Sequence, residues 1–331
     1  MQTRNFIPEA ENKLRKILQD LNLQPVESVK HTMEKRIKDL KRYYYAICLD
    51  KDNKKYFFKA NIVDEQETNE AFAREIWLNK TVVELKNKNN LNVQLYRKEG
   101  IDGKIRWALF YFVDGKPIGS IFDFDKDYSE RRDEFIKGIL GNLSGIQKNT
   151  EVMLKSNNLP ILEKRDGNWY EKEFLSYEKK AFEMIGENRY KKLLKIVKDK
   201  KNFFDEECKV LAHGDFSLSN QIVEKKSELI HTADWEDVHL DNNASDLAFL
   251  WVQAWKYPEW RNKMYNEFVQ NIEDKERFEK MFALILIQLS VREIIIWKYN
   301  DWFEPIKSYV TTKEALRAHK FDLDMAEKKF I

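Results

Sequence analysis

Apolar positions change their spacing once along this chain, near residue 115. Before it, short runs rich in aromatic and β-branched residues dominate; after it, the spacing is that of amphipathic helices. Val26 to Met33 suits a strand. Tyr43 to Asp50 (YYYAICLD) and Lys55 to Asn61 (KYFFKAN) flank Lys51-Asp52-Asn53-Lys54, a run of turn formers, and predict a hairpin. From Glu65 to Leu85, Ala71, Leu78 and Val82 share one helical stripe, widened by Phe72, Ile76 and Val83. Val93 to Tyr96 and Ile105 to Val113 predict two further strands around a turn holding Gly100, Asp102 and Gly103. Asp114-Gly115-Lys116-Pro117 breaks the pattern and reads as a linker, and the polar stretch from Lys148 to Asn168 as a loop or insertion. Helices follow, including Asp274 to Tyr299. The expected architecture is α+β: a small antiparallel-sheet lobe with one helix (1–113), a hinge (114–117) and a larger helical lobe (118–331). No repeat of solenoid length is visible. Two lobes on a short linker make a cleft, where ligand sites are common.

Composition narrows the class. A chain of 331 residues has room for about two domains of roughly 150 residues. With 43% hydrophobic and 34% charged residues it is a globular composition, not a disordered one. Its 10 glycines are about half the usual share of roughly 7%, which disfavours Gly-rich dinucleotide-binding folds. A net charge of +2 gives no general drive toward nucleic acid or anionic membrane. Two distant cysteines, Cys48 and Cys208, make neither a disulfide framework nor a zinc knuckle. The N-terminus lacks the apolar stretch of a signal peptide, and the most apolar run, Phe282 to Val291, is about half the length of a membrane span. These features point to a soluble protein of a reducing, cytoplasmic compartment, without a nucleic-acid or membrane partner; they leave the oligomeric state open.

The chemistry concentrates in Val210 to Val223, V-L-A-H-G-D-F-S-L-S-N-Q-I-V, a polar loop between strand-like ends. Asn220 follows Asp215 by five residues, and a second apolar run ends at Asp234, fourteen residues after Asn220. A hairpin would bring Asp215, Asn220 and Asp234 to one end. One amide and one carboxylate oxygen suit Mg²⁺, and a separate carboxylate can accept or orient a hydroxyl proton.

H-G-D-x-x-x-x-N followed by an apolar strand and D-W-E resembles the aminoglycoside phosphotransferase and choline kinase-like branch of the protein-kinase-like fold. Ala244-Ser245-Asp246-Leu247-Ala248 resembles that family's D-L-A, and Leu109 to Ile118 (LFYFVDGKPI) its hinge; the resemblance spans about residues 26 to 255. It implies that Asp215 is the catalytic base, that Asn220 and Asp234 hold Mg²⁺, that Lys59 contacts the α/β-phosphates of ATP, and that Glu75 pairs with Lys59. Backbone groups of Tyr111 and Val113 would meet the nucleobase. Asp246 would brace the catalytic loop through its backbone, and His213 would act likewise. The residues themselves support the Lys59–Glu75 pair: Glu75 falls on the apolar stripe, where a lone carboxylate is costly without a cation. A place at the stripe's edge, reaching solvent, is the other reading of Glu75, with Glu70 as its rival.

The sequence departs from the family in two places. The loop from Glu34 to Arg42 has no glycine; its basic side chains either neutralise phosphates or form a solvated turn. Leu143-Ser144-Gly145-Ile146 lacks the histidine that family members often carry there. No H-R-D, D-F-G or A-P-E pattern is present, and only about ten residues separate Asp234 from the helix near Ala244, too few for an activation loop. A small-molecule hydroxyl acceptor is therefore favoured over a peptide.

The helical lobe carries Trp251, Trp255, Tyr257, Trp260, Trp297, Tyr299 and Trp302. With Glu236, Asp237 and Asp241 they either wall a site for a cationic aminoglycoside-, choline- or ethanolamine-like acceptor or pack a helical core. Gln288 and Arg292, one turn apart in the apolar helix, read as a buried structural pair, with a ligand role as the other reading. The expected activity is transfer of the γ-phosphate of ATP or GTP to such an acceptor; a catalytically weak kinase-like binding module is the alternative.

Overall fold

The β3–β4 hairpin organises the first lobe. In the protein's structure, a computed structural model describing residues 6–26, 30–34, 40–120, 122–299 and 312–330, β3 (Leu40–Leu49) and β4 (Lys55–Asn61) pair antiparallel through a turn with Asn53 at φ 60°. Asparagine tolerates this left-handed geometry better than most residues. The sheet continues through β6 (Ile105–Tyr111) to β5 (Tyr96–Asp102), while two short strands, β1 (Gln24–Pro25) and β2 (Lys30–Glu34), share the other edge of β3. Alternation sorts the faces. Tyr44, Ala46, Phe58, Ala60 and Trp107 pack with Leu14, Ile17 and Leu18 of α1 (Phe6–Asp20). Tyr43, Ala108 and Phe110 pack with Phe72 of α2 (Gln66–Glu84) on the other face.

Several expected boundaries move. The predicted strand at Val93 starts at Tyr96, and Gly100 lies within β5, because a Cβ there would sit 2.3 Å from the Trp107 ring; Gly103 makes the turn. The stretch expected as Val26 to Met33 is two strands, with 27–29 outside the described residues. Much of the Gly-free loop, 35–39, and Trp302 also lie outside them. The linker contains a strand, β7 (Gly115–Pro117), which pairs with β9 (Gln221–Glu224); β9 pairs in turn with β10 (Ile230–Thr232). The stretch expected as a loop from Lys148 begins inside α3 (Ile136–Leu154).

The second lobe packs α3, α8 (Ser245–Gln253), α9 (Pro258–Val269) and α10 (Lys275–Tyr299) around a large apolar core, flanked by α4 (Gly167–Ser176), α5 (Glu178–Ile185), α6 (Glu187–Asp199) and α7 (Lys201–Glu207). A last helix, α11 (Thr312–Glu327), packs along α10. The two-stranded pair β8 (Val210–Ala212) and β11 (His239–Asp241) lies beside β9 and β10 in sequence and frames the polar loop.

A separate apolar cluster joins the lobes: Trp77, Leu78 and Val82 of α2 meet Leu91, Ile146, Leu211 and Trp235. At Gly145 the backbone of α3 approaches Leu91 so closely that a Cβ would lie 2.7 Å from its nitrogen. Asn142 completes the seam: it accepts from the Asn92 N–H and donates to the Ile230 carbonyl, at 2.7 and 2.9 Å. This seam fixes the cleft between the lobes. Among the described residues no helix is long and apolar enough to cross a membrane.

Candidate active site

Strand register places Lys59 in the middle of the first sheet, opposite Tyr45 on β3 and Ala108 on β6, on the face that looks at α2. There it donates to Glu75 Oε2 at 2.7 Å and to Asp234 Oδ1 at 2.8 Å, with Glu236 Oε2 at 3.8 Å and the Tyr43 ring centroid at 4.4 Å. Glu75 is buried, so its place on the apolar stripe is met by a cation, and the solvent-edge reading does not hold. Burial disfavours the ammonium, but Asp234 and Glu75 outweigh that and hold its pKa well above the ordinary range. Burial, with the negative charges of Asp234 and Glu236, pushes the Glu75 carboxyl up to about 7 against the pull of Lys59.

One ammonium thus faces three carboxylates. Oxygens of Glu75, Asp234 and Glu236 lie within 4.8 Å of one another, an all-oxygen set whose charge exceeds that of Lys59 by two when all three are ionised. That chemistry fits a hard divalent cation such as Mg²⁺. Asp234 follows β10 in the left-handed region, φ 64°, where Asp is among the better-tolerated residues and which directs the chain into the Trp235–Asp237 turn. Arg74 of α2 holds that turn by donating to the Glu236 carbonyl at 2.9 Å.

The polar loop after β8 is fastened from beneath. Asp246, in the first turn of α8, accepts from the backbone N–H of His213 at 2.7 Å and of Gly214 at 3.0 Å, the brace expected for it. His213 is fully buried: its Nδ1 lies 3.2 Å from the N–H of Asp215 and its Nε2 2.9 Å from the Ala233 carbonyl. Because the first contact needs an acceptor at Nδ1, the proton sits on Nε2. Gly214 has φ 87°, and a Cβ there would lie 2.7 Å from the Asp237 carbonyl oxygen, so only glycine fits. Asn220 donates its amide to both the carbonyl and Oδ2 of Asp215, each at 2.9 Å, so its Oδ1 is left as an acceptor. The Ala233 N–H donates to the Asn220 carbonyl at 2.9 Å, which ties the loop to the residue before Asp234. Burial raises the Asp215 pKa, helped by the negative charges of Asp234 and Asp237 and opposed by the Asn220 hydrogen bond.

Other candidates are dispersed. Trp251 is buried in the helical core, donating to Asp322 Oδ1 at 3.2 Å beneath the Arg261 guanidinium; Trp255 packs with Phe122 and Trp297. Their rings fill the core, so the acceptor-wall reading does not hold for these two. Glu236 faces Lys59, whereas Asp237 is exposed. Asp241 is buried and accepts from the Tyr170 hydroxyl at 2.9 Å. The Tyr111 N–H is donated to the Leu95 carbonyl at 2.9 Å. Gln288 and Arg292 are not each other's partners: Arg292 pairs with Glu293 at 2.9 Å. Sequence reasoning missed Arg74, Asn142 and Tyr170, whose polar contacts cross between elements and leave no local pattern.

No protein-family model matches the sequence, and no curated protein matches it. Solved structures do. Wild-type aminoglycoside 2'-phosphotransferase-IIIa in complex with GDP is similar at 13% identity and TM-score 0.61, over 97% of this chain and 99% of that one. The macrolide 2'-phosphotransferase of Brachybacterium faecium is similar at 14% identity and TM-score 0.57, over 93% and 97%. The choline kinase of Streptococcus pneumoniae is similar at 14% identity and TM-score 0.51, over 97% and 99%. The chain therefore has the two-lobed protein-kinase-like fold that these phosphotransferases share.

Proposed function

We propose that the protein is a small-molecule kinase that transfers the γ-phosphoryl group of ATP or GTP to an acceptor hydroxyl. The observation that carries this reading is the meeting, in one cleft, of Lys59–Glu75–Asp234 with Asp215–Asn220. A binding module needs no carboxylate beside the metal-type oxygens. Lys59 contacts the α/β-phosphates, and the base meets the Tyr111 carbonyl and the Val113 backbone, since the Tyr111 N–H is spent on the Leu95 carbonyl. The GDP bound by a similar phosphotransferase keeps guanine nucleotides in the choice. The lobes divide the work: 1–113 holds the nucleotide, 114–117 is the hinge, and 118–331 holds the acceptor.

Asn220 and Asp234, the latter shared with the Glu75–Asp234–Glu236 oxygens, would hold Mg²⁺, which when bound would offset phosphate charge. Asp215 orients the acceptor hydroxyl and takes its proton as the oxygen attacks the γ-phosphorus. A new O–P bond forms, the bond to the β-phosphate oxygen breaks, and the nucleoside diphosphate leaves. The raised pKa of Asp215 makes it a better base than an exposed aspartate. The test is thermal denaturation with ATP, GTP or neither, with and without Mg²⁺, on wild type and Asp234→Asn. A ligand that binds the native state raises Tm by mass action. A Mg²⁺-dependent shift with one nucleotide, lost in the variant, is expected; no shift with either nucleotide overturns the reading.

A further inference from the structure

We propose that His239 is a positioning residue for the nucleotide site: as an imidazolium held by Asp241, it seats the Asp234–Asp237 turn against the catalytic loop. This rests on the kinase reading above. Strand register sets its place. His239 pairs with Ala212 across the β8–β11 ladder, beside the start of the polar loop. A Cβ on Gly214, the residue before Asp215, would come within 3.0 Å of the ring's Nδ1 and Cε1. Residues two apart on a strand share a face, which puts Asp241 on the same side. Both side chains are buried.

Two contacts fix the protons. His239 Nδ1 lies 2.7 Å from the Asp237 carbonyl oxygen, and Nε2 lies 3.2 Å from Asp241 Oδ2. A carbonyl oxygen only accepts, so Nδ1 carries a proton. Asp241 is surrounded by donors. The Tyr170 hydroxyl reaches both its oxygens, at 2.9 and 3.0 Å, and the Asn242 backbone N–H and amide reach Oδ1, each at 2.7 Å. Hydrogen bonds of this kind favour the charged carboxylate. An ionised Oδ2 only accepts, so Nε2 carries a proton as well.

The surroundings favour the positive ring. A buried ion pair holds where hydrogen bonds satisfy its remaining atoms, and here both ring nitrogens and both carboxylate oxygens are engaged. The charged and titratable groups around it come from several elements: Glu163 and Arg165 ahead of α4, Tyr170 and Glu173 on α4, Asp246 on α8 and Arg292 on α10. Arg165 is paired with Glu163 at 3.0 Å and Arg292 with Glu293 at 2.9 Å. The carboxylates of Asp241, Asp246 and Glu173 are left over, so the balance is negative without the second ring proton. The ring in turn holds the end of the turn that carries Asp234 and Glu236, while its edge packs under Gly214. A neutral ring beside an ionised Asp241 could donate to only one of its two partners. The carboxylate is the stronger acceptor, so the Asp237 carbonyl would be the one released.

The experiment uses the full chain. Histidine labelled with ¹⁵N reports the ring protons by NMR in metal-free buffer at pH 7.5, where a solvent-exposed histidine is mostly neutral. The signals lost in His239→Ala assign the ring. Two protonated nitrogens are expected in wild type, and a neutral ring in Asp241→Asn; a neutral His239 in wild type overturns the inference. Calorimetry then reads the affinity for ATP or GTP with Mg²⁺ as pH rises. In wild type it should weaken at the pH where the spectra show the second proton leaving. In Asp241→Asn the amide can donate to Nε2 and leave Nδ1–H on the Asp237 carbonyl, so affinity should stay near wild type and that fall should vanish. His239→Ala should bind about tenfold more weakly at pH 7.5, the size of one lost charge-assisted hydrogen bond. A role confined to packing would not move the pH dependence. A fall that Asp241→Asn leaves in place, or one at a pH unrelated to the ring's titration, overturns the positioning role. Tm of each variant guards against misfolding, and if His239→Ala does not fold, wild type and Asp241→Asn carry the test. Failure of either nucleotide to bind with Mg²⁺ removes the kinase reading, and the positioning role falls with it whatever the spectra show.

Discussion

Lys59 and Asp234 lie 175 residues apart in the chain and 2.8 Å apart in the fold, so one ammonium links the sheet lobe to the end of β10. Glu75 shares that ammonium at 2.7 Å. Removing one partner of a buried ion pair costs about 3–5 kcal/mol, since the others keep their charge without compensation. Lys59→Met should therefore lower Tm by on the order of 10 °C. The deficit should widen from pH 5 to pH 8, as the stranded carboxylates ionise. A melt that matches wild type across this range would mean that the three carboxylates do not depend on Lys59.

The same cluster predicts how the wild type responds to pH. Glu75 is raised from 4.5 to about 7. A carboxyl with a raised folded-state pKa contributes stability that is complete below its unfolded value and is lost as pH rises through the folded one. In metal-free buffer stability should therefore decline between about pH 4.5 and 7. Mg²⁺ favours the ionised carboxylates and should flatten that decline. The check is a series of denaturant melts with EDTA or with Mg²⁺. An identical slope in both would show that no cation enters the Glu75–Asp234–Glu236 set.

Asp215 separates turnover from stability. Its pKa is raised, so its ionisation costs stability as pH climbs from the usual carboxylate range through the raised value. An asparagine at this site carries no such cost. Asp215→Asn should lose about 10²–10⁴ in kcat, the range of general base catalysis, while melting at or above wild type at pH 8 and closer to it at pH 5. Retained turnover would move the base elsewhere.

Legibility followed the range of each interaction. Asp215, Asn220 and Asp234 lie on one local strand–loop–strand run, so spacing alone brought them to the same end. Glu75 was readable because a carboxylate on an apolar stripe demands a cation, and Lys59 on the neighbouring strand supplies it. The direct contact of Lys59 with Asp234 was not, because it depends on how the lobes seat along the Trp77–Leu91–Trp235 seam. Trp251 and Trp255 were ambiguous for a different reason: an aromatic ring has the same helical spacing whether it lines a ligand or fills a core. Gly100 misled similarly, because a glycine that makes room for Trp107 looks in sequence like a glycine that makes a turn. Gln288 and Arg292 share one face of α10, but only the tertiary packing reveals that Arg292 turns to Glu293 and that Gln288 Oε1 stays unmatched.

The last test concerns the brace beneath the loop. Asp246 accepts two backbone N–H groups, from His213 at 2.7 Å and Gly214 at 3.0 Å, and all three residues lie inside the lobe or at its cleft. Asp246→Ala would leave two donors without a carboxylate acceptor, each costing about 1–3 kcal/mol if water cannot replace it. The loop would then be free to shift Asp215 relative to Asn220, whose mutual 2.9 Å contact depends on the loop's path. Asp246→Asn keeps one good acceptor oxygen and turns an N–H₂ toward the other donor, so it should lie between wild type and alanine. Positioning of this kind is felt more in kcat than in nucleotide affinity, because Lys59 and Glu75 stand on other elements. The expected pattern is a falling Tm and kcat in the order wild type, Asn, Ala, with nucleotide Kd nearly constant. If nucleotide Kd weakened in step with kcat, Asp246 would be holding the whole cleft together rather than one loop.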